Sequence, residues 1–297
     1  MTELRSENTF EAQPYYGITT FGRQPHTRDL TNVDVAIVGV PYDGSTSYRS
    51  GTRFGPRAIR EQSSMLWGYN NVLAVAPFKQ LNVIDYGDVD VVPVDVVDTH
   101  KAIEDEVSPL IQAGVKIITL GGDHSIALPL LRAHHKKFGE VAVVHFDAHP
   151  DTWNREFGNH PYSHGTPFRR AIEEELIDTS AYIQIGIRGS TSGVQDYQDA
   201  IDLGARMITI DEAMHIGLDA ITDEIKKHAG DKPTYVTLDI DSIDPAFAPG
   251  TGTPEVGGFS SYQMLQMVRS MKGLNLVGFD LVEVSPPFDH SNITAIL

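Results

Sequence analysis

Short runs of apolar, mostly β-branched residues alternate along this chain with longer segments whose apolar positions recur every three or four residues. The runs are Val33–Val40, Leu81–Tyr86, Lys116–Leu120, Val141–Phe146, Ala181–Ile187, Arg206–Ile210, Tyr235–Ile240 and Leu274–Val284. Several are apolar at both parities, as strands covered on two faces should be. Between them, Ser125–Phe138 and Leu218–Ala229 carry helical spacing, and Ser260–Met271 follows Gly257 and Gly258 with a serine suited to cap a helix. Eight strands alternating with helices predict an α/β protein: a mostly parallel eight-stranded sheet between two helical layers. No repeat, low-complexity stretch or Pro/Ser-rich linker divides the 297 residues. A single domain over 1–297 is therefore expected, with residues 1–30 as an N-terminal arm.

Composition narrows the chemistry. Cysteine is absent, which excludes disulfides, thiolate metal ligands and a cysteine nucleophile, so any metal must be held by His, carboxylates and water. The net charge is −17, with 40 acidic against 23 basic residues. Such a surface repels nucleic acid and anionic membrane, and it suits a cationic substrate without demanding one. No run approaches eighteen apolar residues, and Met1–Tyr16 has no basic segment followed by an apolar one. A cytoplasmic enzyme is the expectation.

In parallel α/β sheets, ligands bind beyond the carboxyl ends of the strands. Chemically loaded residues stand at those ends here. Lys116–Leu120 runs into Gly121-Gly122-Asp123-His124; alone, this is as consistent with a helix start as with a ligand. Val141–Phe146 runs into Asp147, His149 and Asp151, whose alternation places them on one side while the chain stays extended. Tyr235–Ile240 carries Asp239 and leads to Asp241. Carboxylates sharing one face of a buried strand repel, and a bound cation resolves that cost. Four Asp and two His suit two octahedral or five-coordinate ions, with manganese the natural choice and nickel, cobalt or zinc the alternatives.

Two further groups suit an organic substrate. His164, in a Gly/Pro turn, is a candidate proton shuttle, against the plainer reading of a solvated loop histidine. Glu283 ends the last strand and suits a planar guanidinium, unless it pairs internally with Arg188. The loop 152–162 shapes the pocket mouth, with Trp153, Asn154, His160 and Tyr162 as candidates for substrate contact. His145 reads as a hydrogen-bonded core residue or a support for the ligands, and His134 and His135 as the solvated face of a helix.

Taken in order, Gly39–Asp43, Gly55–Arg60, Gly121–His124, Phe146–Asp151, His164–Phe168, Asp239–Asp244, Gly250–Pro254 and Val282–Pro286 resemble the ureohydrolase (arginase/agmatinase) family, closest to its agmatinase branch. The resemblance implies a three-layer α/β/α arginase-like fold and two manganese ions. It assigns His124, Asp147, Asp151 and Asp239 to one ion, and Asp147, His149, Asp239 and Asp241 to the other. It gives His164 the proton-shuttling role and Glu283 the guanidinium, with Asp151 placed to orient the attacking water. It further implies a homo-oligomer, a trimer or hexamer, and a terminal helix beyond Leu297. The expected reaction is hydrolysis of a small cationic guanidino substrate, agmatine, to putrescine and urea. A guanidino acid such as 4-guanidinobutyrate or 3-guanidinopropionate, or guanidine itself, shares the same centre, and a non-catalytic accessory subunit of a mixed oligomer is the alternative of another class.

Overall fold

The eight apolar runs become eight strands: β1 (Val35–Gly39), β2 (Val83–Asp88), β3 (Lys116–Leu120), β4 (Val141–Phe146), β5 (Ile177–Ile187), β6 (Arg206–Thr209), β7 (Thr234–Asp239) and β8 (Leu276–Val282). The computed structural model describes residues 13–297, so the first twelve residues of the expected arm lie outside the described residues. Every pairing is parallel, and the strands form one sheet in the order β2-β1-β3-β8-β7-β4-β5-β6. Successive side chains of β1 enter opposite cores, Ala36 and Val38 on one face and Ile37 on the other, because strand side chains alternate across the sheet. Helices cover both faces, giving the three-layer α/β/α arrangement. Among the described residues no helix is long and apolar enough to cross a membrane.

Strand boundaries shift for physical reasons. β8 stops at Val282 because Glu283 turns to φ +63° and its N–H leaves the ladder for the carbonyl of Gly122. The helices Ala127–Phe138 and Ser261–Ser270 fall where the periodicity puts them, the second closed by a reciprocal Ser260–Gln263 capping box. Ile210–Ala229 is interrupted at Gly217 (φ +82°), so the regular part begins at Leu218.

One long helix escapes the pattern. Val96–Gln112 buries Ile103, Val107, Leu110 and Ile111 and is capped by Asp95, whose carboxylate accepts from the N–H groups of Val97 and Asp98. Pro109 inside it is the breaker that hides it. A second correction concerns His134, which is not solvated. Its ring lies against Tyr235 at 4.9 Å, and its Nδ1 is 2.7 Å from the carbonyl of Leu130. Gly278 of β8 makes the room, since a Cβ there would stand 2.3 Å from the imidazole Nε2. Burial pulls the ring down to about 4, so His134 is neutral.

Candidate active site

The sheet order brings together what the sequence scatters. β3, β8, β7 and β4 are consecutive neighbours, so the segments after them, carrying His124, Glu283, Asp239 and Asp147, open onto one region at the carboxyl edge. Gly122 is required there, because a Cβ would meet the carbonyl of Tyr42 at 1.9 Å.

Three strand ends use the same local device. The carboxylate of Asp123 accepts from the N–H of Ser125 at 3.0 Å, that of Asp147 from His149 at 2.6 Å, and that of Asp239 from Asp241 at 2.8 Å. An aspartate that bonds the backbone two residues on replaces the next ladder bond with a turn. The extended alternation expected for Asp147, His149 and Asp151 therefore ends at Phe146, and Asp151 itself sits at φ +49°. Turns, not a continued strand, make these side chains converge.

Around His124 Nδ1 lie Asp151 Oδ2 at 2.9 Å, Asp147 Oδ2 at 3.1 Å and Asp239 Oδ2 at 3.3 Å. Around His149 Nδ1 lie Asp241 Oδ2 at 3.1 Å and Asp147 Oδ1 at 3.5 Å. Asp147 thus turns one oxygen to each cluster. All four carboxylates are buried. Burial, together with Asp241 and Asp147, holds Asp239 well above the usual carboxylate range, and burial beside Asp147 pushes Asp151 up to about 7. Crowding these carboxylates out of water is costly unless protons or cations compensate them.

Supporting residues fix the imidazoles. Thr237 donates its only hydroxyl hydrogen to Asp280 Oδ1 at 2.6 Å, and Tyr235 donates to Asp280 Oδ2 at 2.6 Å. The Thr237 oxygen, 2.8 Å from His124 Nε2, must therefore accept from that nitrogen. Neutral His124 is left with a bare lone pair on Nδ1, which has no hydrogen-bond partner and faces three carboxylate oxygens. A lone pair among anions is repulsive unless a proton or cation lies between them. Burial opposes protonation of His124, yet the surrounding carboxylates hold it well above the usual histidine range. A divalent cation bound through this all-nitrogen-and-oxygen donor set fits the same position.

On the other flank, Gln184 donates to the Tyr182 hydroxyl at 2.8 Å, Tyr182 Oη lies 3.1 Å from His145 Nδ1, and His145 Nε2 meets Asp147 Oδ2 at 2.7 Å. Burial outweighs the Asp147 contact and keeps His145 below its usual range. His145 is thus a buried, hydrogen-bonded core residue that donates to and orients Asp147. Thr237 and Tyr235 serve the site too, and the only sequence signal for either is that both share the parity of Asp239 on β7.

Glu283 is 1% exposed. Its Oε1 accepts from the His124 N–H at 2.9 Å and contacts His164 Nδ1 at 3.0 Å, while Oε2 is buried without a partner. The alternative pairing with Arg188 does not form: Arg188 donates instead to the carbonyls of Gly186, Asp241, Ser242, Glu255 and Val256. Burial opposes protonation of His164, but Glu283 outweighs it and raises the ring to about 9. A backbone N–H from Ser47, 3.1 Å from Nε2, favours the bare nitrogen instead. With Nδ1–H anchored on Glu283, Nε2 is the ring nitrogen that accepts.

A cavity of about 100 Å³ reaches Asp151, Asp239, His149 and His164. Trp153 lines it; Asn154, His160 and Tyr162 do not. Asn154 accepts from Arg170 at 2.8 Å, while His160 and Tyr162 face a separate cavity of about 320 Å³ with Phe157 and Pro93. Glu156, Ser47 and Thr253 complete much of the wall instead. The loop reverses at Phe157, Gly158 and Asn159, all at positive φ, and pairs Glu156 with His160 through two backbone bonds. Side-chain direction there depends on that turn, which residue type alone does not reveal.

Residues 33–297 match the model of the arginase family. The chain is 46% identical over 287 residues to a guanidinopropionase of Pseudomonas aeruginosa, covering 97% of this chain and 90% of that one. It is 44% identical over 288 residues to a mitochondrial agmatinase of Gallus gallus, covering 97% and 84%. The solved structure of proclavaminate amidino hydrolase from Streptomyces clavuligerus superposes with a TM-score of 0.92 at 42% identity, covering 96% of this chain and 94% of that one. With the eight-stranded parallel sheet and the loaded strand ends already in view, these matches establish that the chain belongs to the arginase family.

Proposed function

We propose that this chain is a binuclear metal-dependent ureohydrolase that splits a guanidino compound into urea and an amine, with agmatine to putrescine as the leading reaction. The observation that carries the reading is the buried, unpartnered His124 Nδ1 facing the carboxylates of Asp147, Asp151 and Asp239. His124, Asp147, Asp151 and Asp239 would hold one ion, and Asp147, His149, Asp239 and Asp241 the other. Manganese is the proposed metal, with nickel, cobalt and zinc the alternatives. When bound, such a pair supplies Lewis acidity and activates water near neutral pH.

The chain's own residues do the rest. The unpartnered Oε2 of Glu283 accepts from a guanidinium N–H, satisfying a buried acceptor that is otherwise costly. Asp151 accepts a hydrogen bond from the attacking water and aims it. His164 takes up at Nε2 a proton lost by the attacking water and passes it to the departing amine, while Glu283 steadies the opposite nitrogen. The avian agmatinase supports the amine product, and the bacterial guanidinopropionase supports the guanidino-acid alternative. We further propose one domain over 1–297, a cytoplasmic location, and a trimer or hexamer. Exposed Tyr15, Tyr16, Ile18 and Trp67 support self-association.

Urea release from manganese-loaded protein across agmatine, 4-guanidinobutyrate, 3-guanidinopropionate, arginine and guanidine tests the reading. Release with agmatine foremost is expected; none from any compound would favour the accessory-subunit alternative. Thr237→Val removes the acceptor that fixes His124. It is expected to weaken metal affinity about 10- to 100-fold, read by competition with a chelating dye, with the circular dichroism spectrum unchanged.

A further inference from the structure

Glu156 is a half-buried carboxylate that lines the same cavity as Asp151 and His164. Its position is built, not incidental. The paired backbone bonds with His160 fix its Cα, and the Ser163 hydroxyl donates to Oε2 at 2.5 Å. Trp153 beside it is pinned by its backbone bond to Gly165 and by its side-chain hydrogen bond to Asp196. Among the described residues no cationic side chain forms an ion pair with Glu156, and no Lys or Arg lines this cavity. Two arginines close by in the chain are engaged elsewhere. Arg155, its immediate neighbour, donates to the carbonyl of Asn159. Arg49, two residues beyond Ser47 of the wall, donates to the carbonyl of Gly252 and stacks over Phe288 at 4.5 Å.

We propose that Glu156 is the residue that reads the far end of the substrate, and that it selects a chain ending in an ammonium over one ending in a carboxylate. The assignment rests on the ureohydrolase reading above. With the guanidinium drawn to Glu283 and the aspartate cluster, an ammonium tail supplies the cation that Glu156 lacks. A carboxylate tail places like charges together in a small, partly desolvated space, with no arginine or lysine in the wall to offset them. Ser163 leaves Oε1 free, so one charge-assisted hydrogen bond is available without disturbing the loop.

The test compares kcat/KM for agmatine and 4-guanidinobutyrate in the metal-loaded native protein, Glu156→Gln and Glu156→Asp. The native protein is expected to prefer agmatine. Glu156→Gln should lower kcat/KM for agmatine about 10- to 100-fold, the range expected on losing a hydrogen bond to a charged group, mainly through KM. Its kcat/KM for 4-guanidinobutyrate should rise. Glu156→Asp, which keeps the charge, should restore the preference for the amine. Equal losses on both substrates would make Glu156 only a prop for its loop and overturn the assignment while leaving the ureohydrolase reading intact. A native preference for 4-guanidinobutyrate would overturn it as well. No urea from either compound with any of the proteins would overturn this assignment, and the parent reading with it if 3-guanidinopropionate, arginine and guanidine also release none.

Discussion

Exchanging Asp147 for asparagine is expected to cut urea release by about a thousand-fold or more, equivalent to roughly 4 kcal/mol, and to lower metal content per chain by half or more. Asp147 is fully buried and turns Oδ2 toward His124 and Oδ1 toward His149. Asparagine keeps the shape but offers one acceptor where two are needed. Its amide group would point N–H bonds either at the place of an ion or at His145 Nε2, itself the donor to Asp147. Charge and geometry are lost together, while the turn made by the side chain with the His149 N–H survives only if the oxygen stays on that side. Elemental analysis after dialysis, run beside the urea assay, separates lost metal from lost chemistry. Full metal content with full activity would refute the role given to Asp147.

Arg188→Ala is the substitution expected to cost most in stability, about 3 to 5 kcal/mol. Arg188 is 7% exposed, and its guanidinium donates to carbonyls from three separate segments: Gly186 at the end of β5, Asp241 and Ser242 after β7, and Glu255 and Val256 in the loop beyond. Alanine strands these acceptors around a hole that no other side chain fills. Because the Asp241 carbonyl is one of them, the ligand turn after β7 should loosen, and metal affinity should fall in step with stability. Urea denaturation of metal-free protein checks the first effect, and metal titration the second. An unchanged midpoint would show that water replaces the lost donors without cost.

These two residues also mark how far the site is legible in the sequence. Asp147 is legible because it ends a buried apolar run and is followed at two-residue steps by His149 and Asp151, a grouping that is costly unless a cation compensates it. Arg188 is not. Its position after a strand suggests an ion pair with Glu283, but its partners are main-chain carbonyls, which carry no signature in residue type. The same limit applies to the loop after Asp151. Trp153 stands out as a large aromatic beside a ligand. Glu156 is ambiguous, because the adjacent Arg155 offers the opposite charge, so the two together argue equally for an ammonium and for a carboxylate tail. His160 and Tyr162 fall on the far side of a turn whose three positive φ angles leave no mark on sequence periodicity. The strands themselves are legible because burial on both faces demands apolar runs. Their order is not, because every run is equally apolar whichever neighbours it finds.

That order has a consequence for how the protein comes into being. β8, made after every other described strand, lies between β3 and β7, with Glu283 at its end accepting from the His124 backbone. Until β8 emerges from the ribosome, the segments bearing His124 and Asp239 have no shared neighbour to hold them at the spacing a metal pair requires. On the proposed ligand set, the nascent chain would carry all six side chains for some time without possessing the site. Metal loading would then be tied to the long-range pairing of β8, so that an ion's binding energy would be added only to chains whose central sheet has closed.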